Sequence, residues 1–128
     1  MTPKNLLYAE SHEWIKDNGD GTVTIGITNH AQDSLGDIVF VELPELGDSF
    51  EIEEEFGVVE SVKAASDLYM PVSGSIIATN SELEDEPEII NEDPYEKGWM
   101  ITVKLEDVAD LEKLLNFEKY QEFVDAEG

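Results

Sequence analysis

From Thr22 to Thr28, Val23, Ile25 and Ile27 alternate with polar or small residues, which predicts a strand with one buried face. The cluster Asp17-Asn18-Gly19-Asp20-Gly21 ahead of it is rich in turn formers. Residues 29–34 are polar and short enough for one or two helical turns, which Gly36 would stop. Ile38-Val39-Phe40-Val41 is too short for a helix and does not alternate, so it predicts a strand covered on both faces, ended by Pro44. Further strands are predicted at residues 49–53, 57–62, 68–72, 75–79 and 100–105. Gly47, Gly57, Gly74 and Gly98 punctuate them, as in an all-β meander. Residues 82–88 read as a solvated acidic loop or short helix. The tail differs: Leu111, Leu114 and Leu115, then Tyr120, Phe123 and Val124, recur at helical spacing. One or two helices are therefore predicted to pack on the sheets over about 107–125. No low-complexity linker divides the chain, and 128 residues suit one domain spanning 1–128.

Charge changes the picture more than composition does. Thirty-one acidic residues face seven lysines and no arginine, for a formal net charge of -24. Such a surface repels phosphates and has no basic stripe to release counterions, which excludes nucleic acid as a partner. It suits partners with basic docking faces. The chain has no cysteine, so disulfide scaffolds, thiolate metal sites and a cysteine nucleophile are out. No apolar run reaches membrane-spanning length, and the first residues carry neither a signal-peptide core nor an arginine-rich presequence. The expectation is a cytoplasmic prokaryotic protein, or a mitochondrial one in mature form.

The candidate chemistry lies between residues 58 and 74. Two strand-like apolar runs flank a tip where Lys63 is surrounded by Ser61, Ala64, Ala65 and Ser66. A rigid hairpin with small neighbours presents one amine outward to an enzyme that must reach it. Glu60 and Asp67, three residues before and four after, would keep its surroundings acidic. The alternative is that Lys63 is an ordinary exposed turn lysine, as most turn lysines are. His12 and His30 have no metal-site spacing, and Asp17 to Thr28 lacks the glycine position and final Glu of a calcium loop. Trp14 and Trp99 are expected in the core or at its rim.

The run Glu60-Ser61-Val62-Lys63-Ala64-Ala65-Ser66-Asp67, followed by Pro71-Val72-Ser73-Gly74, resembles the lipoylation segment of glycine cleavage H proteins. Ser11-His12-Glu13-Trp14, Gly26-Ile27-Thr28-Asn29-His30-Ala31-Gln32 and the stretch from Leu35 to Pro44 are similar to the same family in the same order. So are Ile90-Asn91-Glu92-Asp93-Pro94-Tyr95 and Gly98-Trp99. The resemblance runs from about Tyr8 to Tyr120. It implies a mainly β fold: a flattened β-sandwich or barrel-sandwich hybrid of the lipoyl/biotinyl carrier type, with a short helix after the first strand region and a C-terminal helical segment.

By the same resemblance, lipoate is attached to Lys63 in amide linkage, within a recognition segment of Glu60, Ser61, Val62, Ala64 and Asp67. The chain would be a carrier with no catalytic or metal-ligating residue of its own. It would take an aminomethyl group from a PLP-dependent glycine decarboxylase to a tetrahydrofolate-dependent aminomethyltransferase, with dihydrolipoamide dehydrogenase as reoxidant. A lipoate ligase or a lipoyl/octanoyl transferase would load it. A loaded arm needs shelter from water, and Ser11, Glu13 and Asp67 are the candidates for holding the amine, since a carboxylate near a cation is favourable. Met70 stands where relatives more often carry a small residue. A monomer is expected. Two alternatives stay open: an H-like lipoyl protein for lipoate relay or sulfur metabolism, and an unmodified acidic interaction module.

Overall fold

The computed structural model describes residues 5–127. Chain order runs β1 (Leu7–Tyr8), β2 (Glu13–Asp17), β3 (Thr22–Ile27), α1 (Asn29–Leu35), β4 (Ile38–Glu42), β5 (Ser49–Phe50), β6 (Glu55–Ser61), β7 (Ala65–Tyr69) and β8 (Gly74–Thr79). Then come α2 (Glu82–Asp85), α3 (Ile89–Glu92), β9 (Ile101–Leu105), a 3-10 helix (Val108–Lys113) and α4 (Phe117–Glu127). Two antiparallel sheets form: β1-β2-β3-β9-β8-β5 and β4-β6-β7. Ile15, Val23, Ile25 and Val103 of the first meet Val41, Phe56, Val59 and Leu68 of the second in one apolar core, as two sheets burying their inner faces must.

The strand read from alternation at residues 22–28 forms as β3, and α1 follows it with Thr28 as N-cap and Gly36, at φ 82°, as the stop. Three readings are corrected. First, β4 is not covered on both faces. It is an edge strand whose Val39 and Phe40 are both exposed, because a bulge between Ile38 and Phe40 turns two consecutive side chains outward. Second, β5 stops at Phe50. Residues 51–54 form a turn in which the Glu54 carboxylate accepts from the Glu51 N–H at 2.6 Å and Glu53 has φ 73°. Third, the strand placed at residues 68–72 lies earlier, at Ala65–Tyr69, since Pro71 has no N–H for a ladder; the apolar Met70 and Val72 are buried in the connection instead. The tail forms two helices, within the one or two predicted, and the link between them is extended. Leu115 is extended and exchanges two 2.8 Å backbone bonds with Tyr8.

α4 closes the far end of the first sheet. Tyr120 stacks on Tyr8 with ring centroids 4.5 Å apart, and its hydroxyl is hydrogen-bonded to Thr28 Oγ1 at 2.9 Å and His12 Nδ1 at 2.8 Å. With Leu6 and Trp14 these rings form a second buried cluster. Gly26 faces the Trp14 indole so closely that a Cβ there would sit 2.7 Å from three of its ring atoms. The β2–β3 pairing therefore depends on a residue without a side chain.

Candidate functional site

The β6–β7 hairpin positions Lys63. Ser61 closes the tip: its N–H donates to the Ala64 carbonyl at 2.8 Å, and its Oγ accepts from the backbone N–H of Lys63 and of Ala64, each at 3.1 Å. A side-chain hydroxyl thus does what a glycine-based turn would otherwise do. The Val62 N–H donates to the Asp37 carbonyl at 3.0 Å, which ties the tip to the α1–β4 connection. Lys63 itself is exposed, with its stem against Gly36, where a Cβ would lie 3.4 Å from Lys63 Cε. Glu60, Val62, Ala64 and Asp67 are exposed around it and Ser61 is half-buried.

Ser11 and Glu13 come together at the start of β2. The Ser11 hydroxyl donates to Glu13 Oε1. Glu13 is 1% exposed, and burial pushes its carboxyl up to about 7, against the opposing pull of the Ser11 hydroxyl and a backbone hydrogen bond from Tyr69. Asp67 stands apart from that pair. The Tyr69 hydroxyl approaches its Oδ2 at 3.5 Å, and the carboxyl of Glu55 is held above its usual range chiefly by Asp67, with desolvation and then Glu42 adding less. Tyr69 is the residue that joins the three candidates, with its backbone toward Glu13 and its ring toward Asp67.

Tyr69 and Ser11 also line a surface cavity of about 640 Å³, together with the apolar side chains of Tyr8, Ile52, Met70 and Leu115 and the charged Glu10 and Lys113. Neither Glu13 nor Asp67 lines it. Tyr69, Glu10 and Lys113 were not among the residues predicted from sequence. For Tyr69 a signal existed, because strand alternation puts Ala65, Asp67 and Tyr69 on one exposed face. The His12 and His30 rings lie with centroids 4.6 Å apart, tilted by 34°, and His12 also adjoins Tyr120 and Phe123.

The family model for the glycine cleavage H-protein matches residues 6–127. The chain belongs to the glycine cleavage H-protein family. The glycine cleavage system H protein of Chromohalobacter salexigens is 62% identical over 125 residues, covering 98% of this chain and 95% of that protein. That of Vibrio parahaemolyticus is 56% identical, covering 97% and 98%. The crystal structure of an H protein from Mycobacterium marinum superimposes with a TM-score of 0.88 at 38% identity, covering 96% of this chain and 98% of that one. The two-sheet architecture is accordingly the lipoyl-carrier barrel-sandwich fold. On this membership the chain is a carrier component of the glycine cleavage system and not a catalyst, and lipoate is the group such carriers bear. Among the described residues no helix is long and apolar enough to cross a membrane.

The residues fit such a group. An exposed lysine on a closed, hydrogen-bonded tip offers an amine that can be acylated without disturbing the fold. From Ala65 to Tyr69, β7 runs about 13 Å toward a cavity whose apolar lining and acidic neighbours suit a thiol-bearing chain ending in an amine.

Proposed function

We propose that Lys63 is the lysine that carries lipoate, and that the whole chain works as one carrier unit. The observation behind this reading is the single exposed lysine at the tip of the β6–β7 hairpin, held by Ser61 and flanked by small side chains. When bound, lipoate supplies a sulfur that accepts and releases the one-carbon amine and cycles between dithiol and disulfide. The partners are a PLP-dependent glycine decarboxylase, a tetrahydrofolate-dependent aminomethyltransferase and dihydrolipoamide dehydrogenase, in the cytoplasm, with a monomeric carrier.

The chain's own residues shelter the cargo. Ser11 and Tyr69 border the cavity and exclude water from one side, while Met70 and Leu115 contribute an apolar surface. Glu13 supplies the electrostatics. Without a cation beside it, its buried carboxyl holds a proton up to about pH 7. Glu13 does not line the cavity but accepts a hydrogen bond from the hydroxyl of Ser11, which does; a cation held at Ser11 favours the Glu13 anion over its protonated form. Asp67, on the exposed face of β7, adds a second negative charge on the approach from Lys63.

Intact mass after co-expression with a lipoate ligase tests the assignment. A lipoyl-amide increment is expected for the wild type and none for Lys63→Arg, whose guanidinium is not acylated. An increment that persists in the variant, or is missing from the wild type with an active ligase, refutes it.

A further inference from the structure

Three exposed large apolar residues are brought together by the β4–β6 ladder and the hairpin tip. Val39 is 55% exposed, Phe40 44% and Val62 67%. Val62 adjoins Lys63 in sequence and is bonded to Asp37, two residues before Val39. Phe40 pairs with Glu60, three residues before Lys63, in the ladder. The β4 bulge is what exposes Val39 and Phe40 together; regular alternation would have buried one of them. Exposing such groups costs free energy, and a contiguous apolar patch with a polar rim marks an interaction surface. The rim here is anionic: Asp37, Glu42 and Glu60 are all exposed.

We infer that this patch on β4 and the hairpin tip is the docking surface for the enzyme that acylates Lys63, an enzyme presenting an apolar centre and a cationic rim. The inference rests on Lys63 being the attachment site. Reach favours the loading enzyme over the enzymes of the cycle. An unmodified lysine extends its amine only about 6 Å from its own backbone. An enzyme that places this amine in its active site must therefore cover the neighbouring protein surface, which on one side is Val39, Phe40 and Val62. The carrier's other partners act at the end of a longer arm and are free to dock elsewhere. In the acylation step the lone pair of neutral Nζ attacks the activated carbonyl carbon. The C–N bond forms as the bond to the donor's phosphate oxygen breaks, AMP leaves from an acyl adenylate, and the amine gives its proton to solvent. The β4 strand thus makes the folded domain, rather than the hairpin sequence alone, the unit that is recognised.

The test is steady-state acylation of the full unmodified chain by a lipoate–protein ligase with lipoate and ATP. The double variant Val39→Thr, Phe40→Thr is expected to raise KM for the carrier by about ten-fold or more, as loss of central apolar contacts does, while kcat stays near wild type and an unchanged urea midpoint shows that the fold is intact. Ile77→Thr, an exposed apolar position on β8, serves as the comparison and is expected to keep wild-type KM. Glu42→Gln, Glu60→Gln is expected to raise KM and to flatten its rise with NaCl. A wild-type KM for the β4 variant, or an equal defect in Ile77→Thr, overturns the docking surface. A KM independent of salt overturns the cationic rim. Acylation of Lys63→Arg would instead refute the attachment site, so the two failures are distinguishable.

Discussion

Glu13 shows how one side chain links folding to the proposed carrier chemistry. Its carboxyl is buried beside Ser11 and the Tyr69 backbone, and titrates near 7 when folded against about 4.5 when exposed. Between those values the folded state binds the proton that the unfolded state has lost. Rising pH therefore removes stability across this window, the reverse of the usual paired carboxylate. The contribution is fully present below about pH 4.5 and gone above about 7, on the order of 3 kcal/mol. Glu13→Gln keeps the shape and cannot ionise. Its stability relative to wild type, from urea unfolding of the unmodified proteins, is expected to improve steadily from pH 4 to pH 8 by roughly that amount. A constant difference across the range would show that Glu13 titrates as an ordinary exposed carboxylate. Retaining a destabilising carboxylate in a protein with so many others makes sense where an amine has to be held, and there Glu13→Gln is expected to shorten the lifetime of the loaded carrier.

At the scale of elements, α4 depends on Tyr120, which combines a stacked ring with two side-chain hydrogen bonds to separate segments. Tyr120→Ala is expected to cost about 3–5 kcal/mol through the cavity it leaves, and Tyr120→Phe about 1 kcal/mol. Urea midpoints together with amide exchange along α4 would check this, and equal losses in the two variants would mean that the ring contributes nothing beyond the hydroxyl. The helix was legible in the spacing of Tyr120, Phe123 and Val124, but its start was not. Periodicity also swept in Leu114 and Leu115, which belong to an extended link. The better signal was the pair of caps: Asp107 accepts from the Ala109 N–H at 2.9 Å and Asn116 from the Lys119 N–H at 2.8 Å, marking two helical starts nine positions apart. β3 and α1 could be read because alternation, cap and stop agree. β2 could not, since Glu13, Trp14 and Ile15 are all buried and leave no period to see. β4 misled for a related reason. An unbroken apolar run signals burial on both faces only where no bulge and no partner-facing surface intervene. Lys63 was legible as an accessible amine among small residues, whereas the cavity, built from β1, the β5–β6 turn and the link before α4, required the tertiary structure.

For the molecule as a whole, a formal charge of -24 over 128 residues has to be accommodated by both sheets and every helix. Carboxylates even meet one another, as Glu42, Glu55 and Asp67 do on the outer face of the smaller sheet, where the Glu55 carboxyl is raised by its neighbours. Folding brings such charges closer than the unfolded chain does, so self-repulsion opposes the compact state. Added salt shortens the screening length from about 10 Å at 0.1 M to about 3 Å at 1 M, and the folded state gains more from this because its charges are closer. The thermal midpoint is therefore expected to climb by about 5 °C or more over that range. Sodium, potassium and choline chlorides should give the same curve if screening is the cause, whereas a rise specific to one cation would point to a bound ion, and no rise would show that the carboxylates are spaced widely enough not to interact. The same screening weakens attraction to basic partner faces. Salt thus works in opposite directions on the two properties a shuttling carrier needs: it firms the fold and loosens each encounter, so turnover in a reconstituted system should pass through a maximum with NaCl while the thermal midpoint keeps rising.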